Sequence, residues 1–290
     1  MNHRGKKTKD NRSDIVIHSS RRQRKKPVIA DYYEKSFLVS RRHVDLQERY
    51  SRQIVFYGIG EAGQVKLSRS RIAIIGLGAL GSVAANNLCR AGVGFIRLID
   101  RDNVELTNLQ RQTLYNEQDA SSPIPKAEAA FNHLKKVNSE ITLTNVVTEV
   151  NAANIVTFIN DVDLVLDCTD NIETRYVINE ACVKLQKPWI YAGVLASEGL
   201  TMNIIPGETA CFRCLFPNPP PPGSYSTTVT VGVLNSITGV IASIESAEAL
   251  KILLGSPDVR KTLFRIDVWN SSSNYLKVGK NPGCPVCGGD

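Results

Sequence analysis

Short apolar runs recur along this chain, and most do not alternate with polar residues. Arg71-Ile72-Ala73-Ile74-Ile75, Phe95-Ile96-Arg97-Leu98-Ile99, Val162 to Leu166 and Trp189 to Ala192 are rich in Ile, Val and Leu, as is Ile141 to Val147. Runs of this kind predict strands covered on both faces, the condition of a parallel sheet between helical layers. Between them lie segments of helical texture: Ser82 to Ala91, Ala127 to Val137, Ala152 to Asn160 and Glu173 to Leu185. Strand and helix in regular alternation give an α/β, Rossmann-like, doubly wound and mostly parallel sheet. After Glu198 the texture changes. Gly199 to Pro206 reads as a strand, Ile237 to Leu254 as a long helix, and Phe264 to Trp269 with Ser273 to Val278 as final antiparallel strands. Pro217 to Gly223, with four consecutive prolines, is excluded from helix and sheet interior and predicts a polyproline-like loop. That loop either crosses a site and guides a substrate or is a plain spacer.

The first strand runs into Gly76-Leu77-Gly78-Ala79-Leu80-Gly81, and Asp100 ends the second strand, 24 residues after Gly76. Glycines for a tight turn, a helix start for an anion and an acid for a ribose hydroxyl are the parts of a nucleotide site. The residues downstream of Asp100 bear on which nucleotide is bound. A pyrophosphate bridge can be held by backbone N–H groups, whereas a triphosphate calls for cations and usually magnesium. Asn108, Gln110, Arg111 and Gln112 come after the acid, then Lys126, and Asp167-Cys168-Thr169-Asp170 ends another strand. Strand C-terminal ends line the ligand crevice of such a sheet, so Asp170 is placed to hold a metal. The residues favour ATP over NAD.

Here the chain resembles the ThiF/MoeB/HesA adenylyltransferases, relatives of the ubiquitin-activating enzymes. The resemblance rests on Arg49-Tyr50-Ser51-Arg52-Gln53-Ile54, Gly76 to Gly81, Asp100 with Asn108 to Gln112, Pro125-Lys126-Ala127, Asp167 to Asn171 and two Cys-x-x-Cys pairs. It extends from about Arg49 to Cys287. It implies a nucleotidyltransferase that activates the C-terminal glycine of a ubiquitin-like sulfur carrier, with ATP, through an acyl-adenylate. By that pattern Asp100 holds the ribose, Gly76, Gly78 and Gly81 sit beside the phosphate, and Asn108, Arg111, Gln112 and Lys126 bind the triphosphate. Asp170 holds Mg2+, and Arg52 reaches the phosphates of a neighbouring subunit in a homodimer.

One departure concerns the segment before Gly232-Val233, where some relatives carry a cysteine. Thr228 stands there, and Leu215 to Leu253 holds no cysteine. A hydroxyl has no thiolate form near neutral pH, so a thioester or persulfide step at this position is not expected. Cys211-Phe212-Arg213-Cys214 and Cys284-Pro285-Val286-Cys287 suit instead a closed S4 zinc site, a disulfide or redox pair being the alternative. Cys89 and Cys182 read as small buried hydrophobes. Acids beside Cys168 disfavour its thiolate, so it is not assigned as a nucleophile. The four histidines show no ligand spacing.

Charge divides the chain. Residues 1–30 hold ten Lys or Arg and two Asp, a net of +8, which leaves the other 260 residues at −1. Residues 1–47 therefore read as a basic, partly disordered extension, and residues 48–290 as the adenylyltransferase domain with its zinc site. The arm is either a solvated appendage or a contact for nucleic acid or an acidic surface, with Tyr32, Tyr33 and Phe37 as candidate anchors to the body. No run approaches the roughly 18 apolar residues of a membrane span, and a cytoplasmic protein is expected. Two other readings stay open: adenylation of a short peptide or of a carboxylate on tRNA, and an NAD-dependent oxidoreductase or non-catalytic scaffold.

Overall fold

In a computed structural model, residues 41–221 and 228–288 are described. Residues 1–40 of the predicted 1–47 arm, with Tyr32, Tyr33 and Phe37, and the 222–227 part of the proline and threonine loop lie outside the described residues, while residues 41–47 fall in a helix that runs from Arg41 to Ile54.

The core is one eight-stranded sheet of order β3-β2-β1-β4-β5-β6-β7-β8. Its parallel part comprises β1 (Arg71–Ile75), β2 (Phe95–Asp100), β3 (Thr142–Val147), β4 (Leu164–Asp167) and β5 (Trp189–Leu195). From β5 the pairing turns antiparallel through β6 (Glu198–Ile204), β7 (Leu263–Asp267) and β8 (Ser272–Leu276). The absence of alternation in β1 has a direct cause. Ile72 and Ile74 enter a core shared with α3 (Ala79–Ala91), α5 (Lys126–Val137) and α10 (Asn235–Leu254). Ala73 and Ile75 enter the opposite core with α6 (Ile155–Ile159) and α7 (Ile172–Lys184). Both faces exclude water, so every inner position in the strand is apolar.

Helices α1 (Arg41–Ile54) and α2 (Gly60–Arg69) precede the sheet. Buried Leu67 of α2 belongs to the core under α3. A capping box at Asn116 and Asp119 starts the short α4 (Glu117–Ser121), which patterning alone does not reveal. The helix expected over 152–160 begins only at Ile155, because Asn151 and Asn154 turn their side chains onto nearby backbone N–H groups.

The second core ends in an aromatic cluster. Phe212 of α8 (Phe212–Leu215) packs edge-on or tilted against Tyr176, Trp189, Tyr191 and Phe216, with ring centroids 5.0–6.0 Å apart. Residues 217–221 form neither helix nor strand. Beyond them α9 (Thr228–Val231) leads back to the sheet, where Ala196 pairs with Val233 through Ala196 N–H to Gly232 O and Leu234 N–H to Ala196 O. Among the described residues, no helix is long and apolar enough to cross a membrane.

Candidate active site

Three strand ends lie level in the sheet: Ile75 of β1 is opposite Ile99 of β2 and Asp167 of β4. The glycine turn leaves β1 at that level. Gly76 has φ +89°, and a Cβ there would sit 2.6 Å from the carbonyl oxygen of Cys168. A Cβ on Gly81 would sit 1.9 Å from the carbonyl oxygen of Gly76. These two glycines are required by the packing of the turn itself. Gly78 differs, for a Cβ there meets only the flexible end of Gln112, at 3.6 Å.

Asp100 is bound into the same turn. One of its carboxylate oxygens accepts the Leu77 N–H at 2.6 Å and the other accepts the Asp102 N–H at 2.8 Å. Burial pushes this carboxyl up, against the pull of Lys126 and the two N–H groups. Lys126 opens α5 directly after Pro125, and its Nζ lies 3.1 Å from Asp102 with the side chain only 8 % exposed. Buried Tyr115, which has no motif to announce it, donates to Leu77 O at 2.9 Å and lies 3.3 Å from Lys126 O. It joins the turn to the start of α5.

Gln112 stands beside this turn at Gly78 and donates its N–H to Asn108 O at 2.9 Å; both residues are buried, and the side-chain carbonyl oxygen of each has no hydrogen-bond partner. A buried polar atom left unpaired costs about 1–3 kcal/mol, so two in one place mark where a ligand donor belongs. Arg111 lies between them in sequence, half-buried, donating to Thr107 O at 3.1 Å. At the end of β4, Asp167 is fully buried and Asp170 is exposed. An exposed carboxylate is the hard oxygen donor that Mg2+ takes.

The structure thus joins Gly76, Gly78, Gly81, Asp100 and Gln112 at one turn, with Asn108 hydrogen-bonded to Gln112 and Lys126 linked through Tyr115; Arg111 precedes Gln112 in sequence, and Asp170 is exposed just past the end of β4. Arg52 is exposed in the last turn of α1, and the contacts joining the other residues do not include it. Thr228 begins α9, where its carbonyl accepts the Gly232 N–H. Two residues without a sequence signal complete the floor. Glu245 of α10 is fully buried with the Cys168 Sγ 3.6 Å away, and burial beside Asp167 pushes its carboxyl well up. Arg175 of α7 faces Asp167 at 3.2 Å.

The four cysteines form a separate centre. Their Sγ atoms all lie within 4.8 Å of one another, with Cys211–Cys284 at 3.6 Å and Cys214–Cys287 at 3.4 Å. Tetrahedral zinc with Zn–S bonds of about 2.3 Å needs sulfurs roughly 3.8 Å apart, so the donor set fits zinc.

A mostly parallel sheet that presents a glycine turn and an acid at adjoining strand ends defines a doubly wound α/β protein. Within that class the chain belongs to the ThiF family, which it matches over residues 50–286. It is 40 % identical over 242 residues to the Bacillus subtilis sulfur carrier protein ThiS adenylyltransferase, covering 83 % of this chain and 71 % of that protein. It is 40 % identical over 241 residues to adenylyltransferase and sulfurtransferase MOCS3 of Culex quinquefasciatus, covering 82 % of this chain and 55 % of that longer protein. Among solved structures it is similar to E. coli MccB with ATP, at a TM-score of 0.72 and 26 % identity over 83 % of this chain and 75 % of that one.

Proposed function

We propose that this chain uses ATP to adenylate the C-terminal carboxylate of a ubiquitin-like sulfur carrier. The observation that carries the reading is the pair of unpartnered carbonyl oxygens of Asn108 and Gln112, buried next to a glycine turn with Arg111 between them in sequence. The names of the Bacillus and Culex relatives supply the reaction and the substrate class.

A carboxylate is a poor electrophile until its oxygen becomes part of a good leaving group. In the proposed reaction the carrier's carboxylate oxygen attacks the α-phosphorus, the bond from that phosphorus to the bridging oxygen breaks, and pyrophosphate leaves with the electron pair. Asp100 accepts from the ribose with the lone pairs its two backbone contacts leave free. The glycine turn presents the N terminus of α3 to the phosphates. Asn108 and Gln112 orient the nucleotide, while Arg111 and Lys126 offset the charge that grows on the departing pyrophosphate. Mg2+ held by Asp170 would supply further charge neutralisation there. Arg52, exposed and apart, serves the site of a second copy in a homodimer.

The cysteine cluster holds zinc as a structural tie between α8 and the chain end, since four ligands leave no open position. With Thr228 in α9, release of the product leaves the adenylate on the carrier and no thioester on this segment.

ATP–pyrophosphate exchange tests the reading. Exchange should appear when a carrier ending in Gly-Gly is added and should be absent with the same carrier lacking those glycines. Exchange indifferent to the carrier would overturn it in favour of another carboxylate.

A further inference from the structure

We propose that Arg175 is a positioning residue that presents the Asp170 carboxylate to the nucleotide-bound metal; this rests on the reading of Asp170 as a metal ligand. Arg175 touches neither nucleotide nor metal in this arrangement and acts through Thr169. The contacts form a closed ring. One carboxylate oxygen of Asp167 accepts from Thr169 twice, from the N–H at 3.0 Å and the hydroxyl at 2.7 Å. The Arg175 guanidinium holds the other end of the same residue, donating to Thr169 O at 2.7 Å and to Ala192 O at 3.3 Å. Its Nε lies 3.2 Å from the second oxygen of Asp167, and the guanidinium rests 5.2 Å from the ring centroid of Tyr191.

Asp170 comes immediately after Thr169, and the next residue, Asn171, is fixed as well: its side chain caps α7 by accepting the Thr174 N–H at 2.7 Å. Asp170 is therefore the one exposed residue between two anchored neighbours, with its backbone path set on both sides. Binding a small octahedral cation requires such a fixed donor.

Charge points the same way. Asp167 is fully buried, and burial with no cation beside it would drive it to take a proton. Arg175 opposes that shift, while one oxygen of Asp167 accepts both Thr169 donors.

A purely structural role for Arg175, holding α7 to the sheet, would lower stability and leave metal affinity alone. The test separates the two by measuring Mn2+ binding, by electron paramagnetic resonance, to the full chain in complex with α,β-methylene ATP. The affinity of the analogue in EDTA and the melting temperature are measured alongside. Arg175→Lys keeps the charge and loses the fork; it should weaken Mn2+ about tenfold while metal-free nucleotide affinity holds. Thr169→Val removes only the hydroxyl contact and should weaken Mn2+ in the same direction, which keeps the test alive if Arg175→Lys does not fold. Asp170→Asn is the reference. If it alone loses Mn2+ while the other two bind like wild type, the positioning role is wrong and Asp170 keeps its assignment. If Asp170→Asn also binds Mn2+ like wild type, Asp170 is not the ligand and both readings fall.

Discussion

Gly81→Ala is a sharp test of how the turn is built. Its Cβ would meet the Gly76 carbonyl oxygen at 1.9 Å, the Gly76 carbonyl carbon at 2.9 Å and the Cys168 side chain at 3.2 Å. A carbon normally approaches a carbonyl oxygen no closer than about 3.3 Å, so the first turn of α3 and the glycine turn must separate by about 1.4 Å. Neither partner gives way easily. Gly76 is held by its N–H to Ile99 O at 2.9 Å and by the Cys168 carbonyl below it, while α3 is buried against α5 and α10. The stability cost of such overpacking is about 1–3 kcal/mol. The functional cost is of similar size: if this turn binds phosphate as proposed, a displacement near 1 Å loses about 100-fold in rate, about 2.7 kcal/mol. Urea unfolding, ATP titration and pyrophosphate exchange of purified Gly81→Ala should show losses in stability, affinity and rate. Gly78→Ala makes the contrast: its Cβ meets only the Gln112 side chain at 3.6 Å, so stability should change by no more than about 0.5 kcal/mol while ATP affinity falls. Wild-type stability and ATP affinity in Gly81→Ala would refute this packing of the turn.

The rest of the site and the zinc centre can be probed in the same way. Arg111→Ala should leave stability within about 0.5 kcal/mol of wild type and reduce pyrophosphate exchange by about 10²–10³-fold, judged by urea unfolding and exchange on one preparation. The Glu245 carboxyl sits well above its usual 4.5, through burial and the charge of Asp167. The folded state therefore binds a proton that the unfolded state releases, and this contribution is full below pH 4.5 and is lost as pH rises toward the folded value. Glu245→Gln should consequently gain on wild type with rising pH, by about 1.4 kcal/mol per unit, in unfolding curves taken across that range. A pH-independent difference would show that Glu245 does not titrate on unfolding. Metal analysis should return one zinc per chain, Cys287→Ser should lose it, and the melting temperature should fall because α8 and the Phe212 cluster lose their tie to residues 281–288.

Much of this architecture is legible in the sequence because parallel strands covered on both faces show as unbroken apolar runs. Each predicted strand from Arg71 to Ala192 is present, and the turn to antiparallel pairing after β5 coincides with the change of texture at Glu198. Helices are harder to read where short polar side chains compete for the backbone. Asn151 and Asn154 cut α6 to five residues, and the Asn116 cap makes an α4 that has no apolar stripe. Motif residues stand out because the glycine turn and its acid have a fixed spacing. Tyr115, Arg175 and Glu245 do not. Tyr115 reaches a carbonyl 38 residues away, Arg175 carbonyls 6 and 17 away, and Glu245 a thiol 77 away, so no motif spacing marks them. The orphaned oxygens of Asn108 and Gln112 likewise exist only once the fold has buried them.

Chemistry at the α-phosphate of ATP, with a carrier's terminal carboxylate as nucleophile, leaves AMP on the carrier and nowhere else. The decisive experiment incubates the full chain with a Gly-Gly carrier and ATP labelled at the α-phosphate, then resolves the proteins under acid conditions that preserve an acyl-adenylate. Label should move to the carrier, should be absent with γ-labelled ATP, and should disappear on adding hydroxylamine. An unlabelled carrier, with label found instead on a short peptide, on RNA or nowhere, would contradict carrier adenylation.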